Sequence, residues 1–168
     1  MALIPFDDRD GSIWLDGEIV PWRDAKTHTL SHGLHYASMV FEGERIYSGR
    51  VFKGAEHTAR LRASAKLLDF DVPIADAALD AAKLEVVRAN EITDGYVRAF
   101  CWRGSEMMAI SAQQTSAHLA IAAGEWRKRG RGRVCSGILV PERWPIWADV
   151  CSPARQLTCR RNGVAVEA

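Results

Sequence analysis

SHGLHYASMVFEGERIY, residues Ser31–Tyr47, packs two histidines (His32, His35), two tyrosines (Tyr36, Tyr47), a Glu-Gly-Glu and an arginine into one short stretch. Glycines at Gly33 and Gly43 do not belong in a continuous amphipathic helix. A single strand would alternate more strictly. The stretch therefore divides into one short helical turn over His32–Ala37 and a strand over Met39–Tyr47. Ser48-Gly49 marks a turn, and Arg50–Lys53 reads as the returning strand.

Upstream, SIWLDGEIVP (Ser12–Pro21) reads as a β-hairpin around Asp16-Gly17, a dipeptide suited to a type I′ turn. Downstream, Ala55–Phe70 has helical periodicity, with Leu61, Ala65 and Leu68 on one face. Pro73 closes that unit. Asp76 is placed as the N-cap of a second helix running to about Ala89, with Leu79, Ala82 and Val86 on its buried stripe. Tyr96–Trp102 and His118–Ala123 read as buried strands joined by a loop over Arg103–Ser116. Hairpin, strands, two helices and more strands form an α+β order, not a βαβ repeat. No GxGxxG or P-loop pattern is present.

Hydrophobic content of 48% and charge of 26% place the 168-residue chain in the globular class. Neither a membrane span nor a secretory leader is readable in it. The four cysteines show no CxxC spacing, so the expected address is the reducing cytoplasm. The net charge of +1 hides a split. Residues 1–126 carry 13 Lys+Arg against 18 Asp+Glu, and residues 127–168 carry 9 against 3. A domain over 1–126 and a basic tail over 127–168 make up the expected organisation.

Three arginines stand in contexts suited to anion binding: Arg45 on the first long strand, Arg60 on the helix, and Arg98 two residues after Tyr96 on one strand face. Surface arginines are common, and pairing with a neighbouring acid is the plainer reading of each. His32 and His35 are expected to be hydrogen-bonded structural residues, since no third metal ligand accompanies them. Glu42 and Glu44 flank a glycine and are expected to be solvated or hydrogen-bonded strand residues.

Four segments in register carry a resemblance. SHGLHYASMVFEGERIY, EHTARLRASAKLLDF (Glu56–Phe70), YVRAFCWRGSEMM (Tyr96–Met108) and HLAIAAGEW (His118–Trp126) resemble the N-terminal half of branched-chain amino-acid aminotransferases. These are class IV, fold-type IV enzymes dependent on pyridoxal 5′-phosphate. The resemblance covers about Ser12–Trp126. It implies a small domain of mostly antiparallel sheet with two helices, working in a homodimer or higher assembly on amino acids and 2-oxo acids. It also implies that Arg60 binds the cofactor phosphate, and that Tyr36, Phe41, Gly43, Arg45, Tyr96 and Arg98 line the substrate pocket. Tyr96 and Phe41 would hold the apolar side chain, and Arg98 the carboxylate. Tyr36 would assist from the neighbouring subunit, and the loop Gly104–Ile110 would close the pocket across the dimer. D-amino-acid transaminase and aminodeoxychorismate lyase share the scaffold, but the third segment is similar to the branched-chain type.

The resemblance also implies a lysine that forms a Schiff base with the cofactor, in a half beyond Trp126. Lys26, Lys53, Lys66, Lys83 and Lys128 all lack that lysine's context, so no catalytic residue is assigned in this chain. The segment RKRGRGRVCSGILVPERWPIWADV and the residues after it show no sustained period. Their Arg, Cys and Trp content is that of a shifted reading frame in a GC-rich gene, and a low-order tail is expected. RKRGRGR lacks a second basic stretch with interleaved aromatics, so nucleic acid is not an expected partner. The chain alone is expected to be a remnant without transaminase activity.

Overall fold

The computed structural model describes residues 5–125 of the protein. The expectations for 127–168 lie outside the described residues. The first hairpin forms as read: β1 (Ser12–Leu15) and β2 (Glu18–Pro21) are antiparallel. Asp16 and Gly17, at φ 48° and 111°, supply the positive dihedrals of the tight turn. A 3₁₀ turn over Trp22–Asp24 leads to α1 (His32–Tyr36), which ends at Ala37 in the left-handed region. Then come β3 (Met39–Tyr47) and β4 (Arg50–Val51). The returning strand is shorter than expected, because Lys53 turns left-handed (φ 55°) and launches α2 (Gly54–Leu67) at once.

The second helix, α3 (Asp76–Ala89), begins where expected, but Asp76 is not its cap. Ala75 holds the cap position, and Asp76 is the first helical residue, where its charge favours the helix N-terminus. Its carboxylate accepts a hydrogen bond from Arg62 Nε. Both helices stop with the same device. At the end of α2, Asp69 is left-handed (φ 58°), Phe70 N–H donates to Ala65 O (3.1 Å), and Asp69 N–H donates to Lys66 O. At the end of α3, Glu91 is left-handed (φ 53°), and Ile92 N–H donates to Val87 O (3.0 Å). This is the Schellman arrangement built on acidic residues where glycine is usual. It is held because the next residues, Phe70 and Ile92, are buried in the core. The first helix therefore ends three residues before Phe70, a stop that no glycine announces.

β5 (Gly95–Arg103) and β6 (Ala117–Glu125) complete one antiparallel sheet in the order β2-β1-β6-β5-β3-β4. The α+β expectation of a largely antiparallel sheet with two helices is what the structure shows. Both helices lie on one face. There Leu61, Leu79 and Val86 pack on Ile46, Val97 and Ile121, and each of these six is fully buried. The period-two alternation of the strands sends the intervening residues to the other face. That face carries an apolar cluster of Ile13, Trp102 and Ala120 at one end.

Candidate active site

Register decides what shares the helix-free face. β3 pairs with β5 so that Gly43 lies opposite Arg98, Arg45 opposite Tyr96, and Phe41 opposite Phe100. Five of the sequence-predicted pocket residues, Phe41, Gly43, Arg45, Tyr96 and Arg98, are thereby gathered on one face. The Arg98 guanidinium carbon lies 5.1 Å from the Phe41 ring centroid and 5.6 Å from that of Tyr96. Arg98 Nη2 also donates to the Tyr96 hydroxyl at 3.4 Å. Stacking on two rings orients the guanidinium without neutralising it. Gly43 is required by this packing, since a Cβ there would lie 2.1 Å from the Tyr96 hydroxyl oxygen. Arg45 stacks on Tyr47 at 5.3 Å. The face thus combines two cations with aromatic walls, a surface suited to an amphiphilic carboxylate.

The other side of β3 bears out the hydrogen-bonded reading of Glu42 and Glu44 and holds two partners that the sequence reading missed, His57 and Lys83. Glu42 and Glu44 both point under the helices, 4% and 0% exposed, so they are not solvated. Glu42 accepts from Arg60 Nε and Nη2, each at 2.6 Å, and from His57 Nδ1 at 2.8 Å. A carboxylate only accepts, so His57 carries its proton on Nδ1. Glu44 meets Lys83, which is 1% exposed. Lys83 Nζ donates to Glu44 Oε2 (3.1 Å), Thr58 Oγ1 (2.7 Å) and Gly54 O (3.3 Å), and Thr58 in turn donates to Asp80. Glu44 Oε1 is 2.9 Å from the same nitrogen, an ionic contact outside hydrogen-bond alignment. Burial pushes the Glu44 carboxyl above the usual carboxylate range, against the pull of Lys83. The signal for Lys83 was present in the sequence. It sits four residues after Leu79 and three before Val86, within the buried stripe of α3.

Arg60 therefore lies on the helix side of the sheet, gripped by Glu42, with its side chain 36% exposed. Over Met39–Glu44 the side of β3 away from β5 has no strand partner among the described residues, since β4 pairs only at Ile46 and Tyr47. Tyr36 ends α1, and its exposed ring stacks on His32 and His35. His32 is buried and satisfied: Nε2 donates to Ile110 O (3.2 Å) and Nδ1 accepts from Ser38 (2.6 Å). The loop after β5 is thereby tied to α1. An apolar cavity of about 260 Å³, lined by Ile13, Leu34, Phe100 and Trp102 with Lys26 among its walls, lies beside the arginine cluster and not within it. Lys66 pairs with Asp71 at 2.6 Å, Lys53 Nζ lies 5.9 Å from the Phe52 ring centroid, and Lys128 is outside the described residues.

The family model for amino-transferase class IV matches residues 39–144, more than half of the chain and past Trp126. The chain belongs to the class IV aminotransferases. It is 41% identical over 122 residues to the probable branched-chain-amino-acid aminotransferase of Rickettsia conorii, covering 73% of this chain and 42% of the relative. It is 42% identical over 123 residues to the branched-chain-amino-acid aminotransferase of Pseudomonas aeruginosa, covering 71% and 40%. The crystal structure of the Escherichia coli branched-chain amino acid aminotransferase superposes with a TM-score of 0.67 at 38% identity, over 70% of this chain and 40% of that one. The chain thus spans about two fifths of the length of the relatives it matches. The class IV fold accounts for the antiparallel sheet with helices on one face.

The side chains present fit the anionic parts of a pyridoxal phosphate site. A guanidinium braced by a buried carboxylate suits a phosphate, and the Arg98–Tyr96–Phe41 group suits a substrate carboxylate. Among the described lysines, Lys83 is buried against Glu44, Lys66 pairs with Asp71, Lys53 lies beside the Phe52 ring and Lys26 lines the apolar cavity.

Proposed function

We propose that this chain forms the substrate-gripping half of a branched-chain amino-acid transaminase site, for amino transfer between leucine, isoleucine or valine and 2-oxoglutarate. The observation that carries the reading is the register that sets Arg98 opposite Gly43 with Phe41 and Tyr96 against it. Arg98 takes the amino-acid carboxylate, and the two rings receive its aliphatic side chain and exclude water. Arg60 takes the cofactor phosphate. Pyridoxal phosphate, when bound, supplies the electron sink that acidifies the α-proton. On this reading the described residues act as a scaffold that grips and orients, and the group that moves the proton is not assigned among them. The same reading places it in the cytoplasm and in a homodimer to which Tyr36 contributes across subunits. Its support is the family to which the chain belongs; among the described residues no helix is long and apolar enough to cross a membrane.

The test adds pyridoxal phosphate, leucine and 2-oxoglutarate to the purified chain, with and without the remaining C-terminal part of the Pseudomonas relative. Glutamate is expected only in the mixture, and Arg98→Ala is expected to abolish it. A borohydride-trapped adduct on a lysine of this chain, with leucine-dependent glutamate from the chain alone, refutes the scaffold reading. An unaffected Arg98→Ala refutes the assignment of the carboxylate grip.

A further inference from the structure

We propose that Glu42 is a positioning residue for Arg60, fixing the plane of its guanidinium so that the edge turned away from the carboxylate meets a phosphoryl group. The proposal rests on the reading of Arg60 as the phosphate ligand. Glu42 takes the Nε–Nη2 edge through two parallel contacts of 2.6 Å, and Nη2 also lies 3.4 Å from His57 Nδ1. A fork held this way has one orientation, whereas a lysine or an unbraced arginine samples many. Glu42 is itself fixed. It is 4% exposed on the inward face of β3, and His57, one helical turn before Arg60, donates to the same carboxylate at 2.8 Å. Glu42 lies between Phe41 and Gly43, so the strand that orients the phosphate grip also carries three residues of the substrate face, Phe41, Gly43 and Arg45.

Two physical effects compete, and they have opposite signs. If Glu42 acts by position, removing its contacts lets Arg60 wander and weakens phosphate binding. If its charge dominates, it merely neutralises Arg60, and its removal tightens phosphate binding. Glu42→Asp separates them, because it keeps the charge and shortens the reach.

The experiment uses the full chain labelled with nitrogen-15 and follows the Arg60 Nε–Hε resonance, assigned by its loss in Arg60→Ala. Inorganic phosphate, pyridoxal 5′-phosphate and pyridoxal are titrated separately. Both phosphates, and not pyridoxal, are expected to move the resonance. Glu42→Gln and Glu42→Asp are each expected to weaken phosphate binding about 10–100-fold, by analogy with the loss of metal affinity when the hydrogen-bond partner of a metal ligand is removed. Far-UV circular dichroism identifies any variant that does not fold; should Glu42→Gln fail, Glu42→Asp reads the same prediction. Equal or tighter binding by a folded Glu42 variant overturns the proposal while leaving Arg60 in place. A wild-type resonance that phosphate does not move overturns the assignment of Arg60 and the proposal with it.

Discussion

Lys83→Met removes the cation from the fully buried Glu44 while preserving most of the side-chain volume. Glu44 then loses its contacts of 2.9 and 3.1 Å to Nζ, and Thr58 loses a donor at 2.7 Å. Breaking one partner of a buried pair costs about 3–5 kcal/mol, because the other charge stays buried and uncompensated. With a urea m-value of about 2 kcal/mol/M, the unfolding midpoint should fall by roughly 1.5–2.5 M. The double variant Lys83→Met, Glu44→Leu replaces the pair with apolar volume and should recover most of the loss. The penalty is also pH-dependent, with a definite sign. Burial already holds the Glu44 carboxyl above its ordinary range, and losing Lys83 pushes it further in that direction. A carboxyl raised in the folded state contributes stability that is present below its unfolded value and lost as pH rises through its folded value. Lys83→Met should therefore lose less stability near pH 5 than near pH 8, roughly the window above an unperturbed carboxylate. Urea titrations followed by circular dichroism at both pH values test this. A loss below about 1 kcal/mol, or one that grows on acidification, refutes the argument that the buried charge is what costs.

Gly43→Ala should displace the Tyr96 ring, whose hydroxyl oxygen would lie 2.1 Å from the new methyl, and destabilise the fold by about 1–3 kcal/mol; an unchanged thermal midpoint and an unmoved Tyr96 ring resonance would contradict the packing. Asn90 joins α3 to β1 by accepting from Ser12 N–H (2.8 Å) and donating to Ser12 O (2.9 Å) and Val86 O (2.8 Å). Asn90→Ala should cost about 1–3 kcal/mol, read by urea unfolding. Cys101 is fully buried, and burial pushes its thiol up to about 12. Peptide mapping after iodoacetamide should find it unmodified in the native chain and modified in urea. Because that value lies above the ordinary thiol range, the stability it contributes is lost as pH climbs toward about 12, and Cys101→Ala should flatten that alkaline limb.

Local pattern was enough to place the elements. The strand at Met39–Tyr47, the helix at Asp76–Ala89 and the hairpin around Asp16-Gly17 have the bounds that alternation, period and turn chemistry assign. Where local pattern failed, a distant contact had decided the matter. Asp69 and Glu91 hold left-handed conformations that ordinarily call for glycine, because Phe70 and Ile92 are buried in the core. Phe41, Gly43, Arg45, Tyr96 and Arg98 were singled out by resemblance, but only the β3–β5 register makes them one surface. Lys83 is the clearest case. The buried stripe read along α3, Leu79, Ala82 and Val86, omits Lys83, whose spacing fits it and whose charge argues for solvent. Glu44, 39 residues earlier on another element, resolves the conflict. Helices and strands arise from residues a few positions apart, and those are written in order along the chain. The fate of a charge depends on which opposite charge the fold brings to it, and only the tertiary structure decides that.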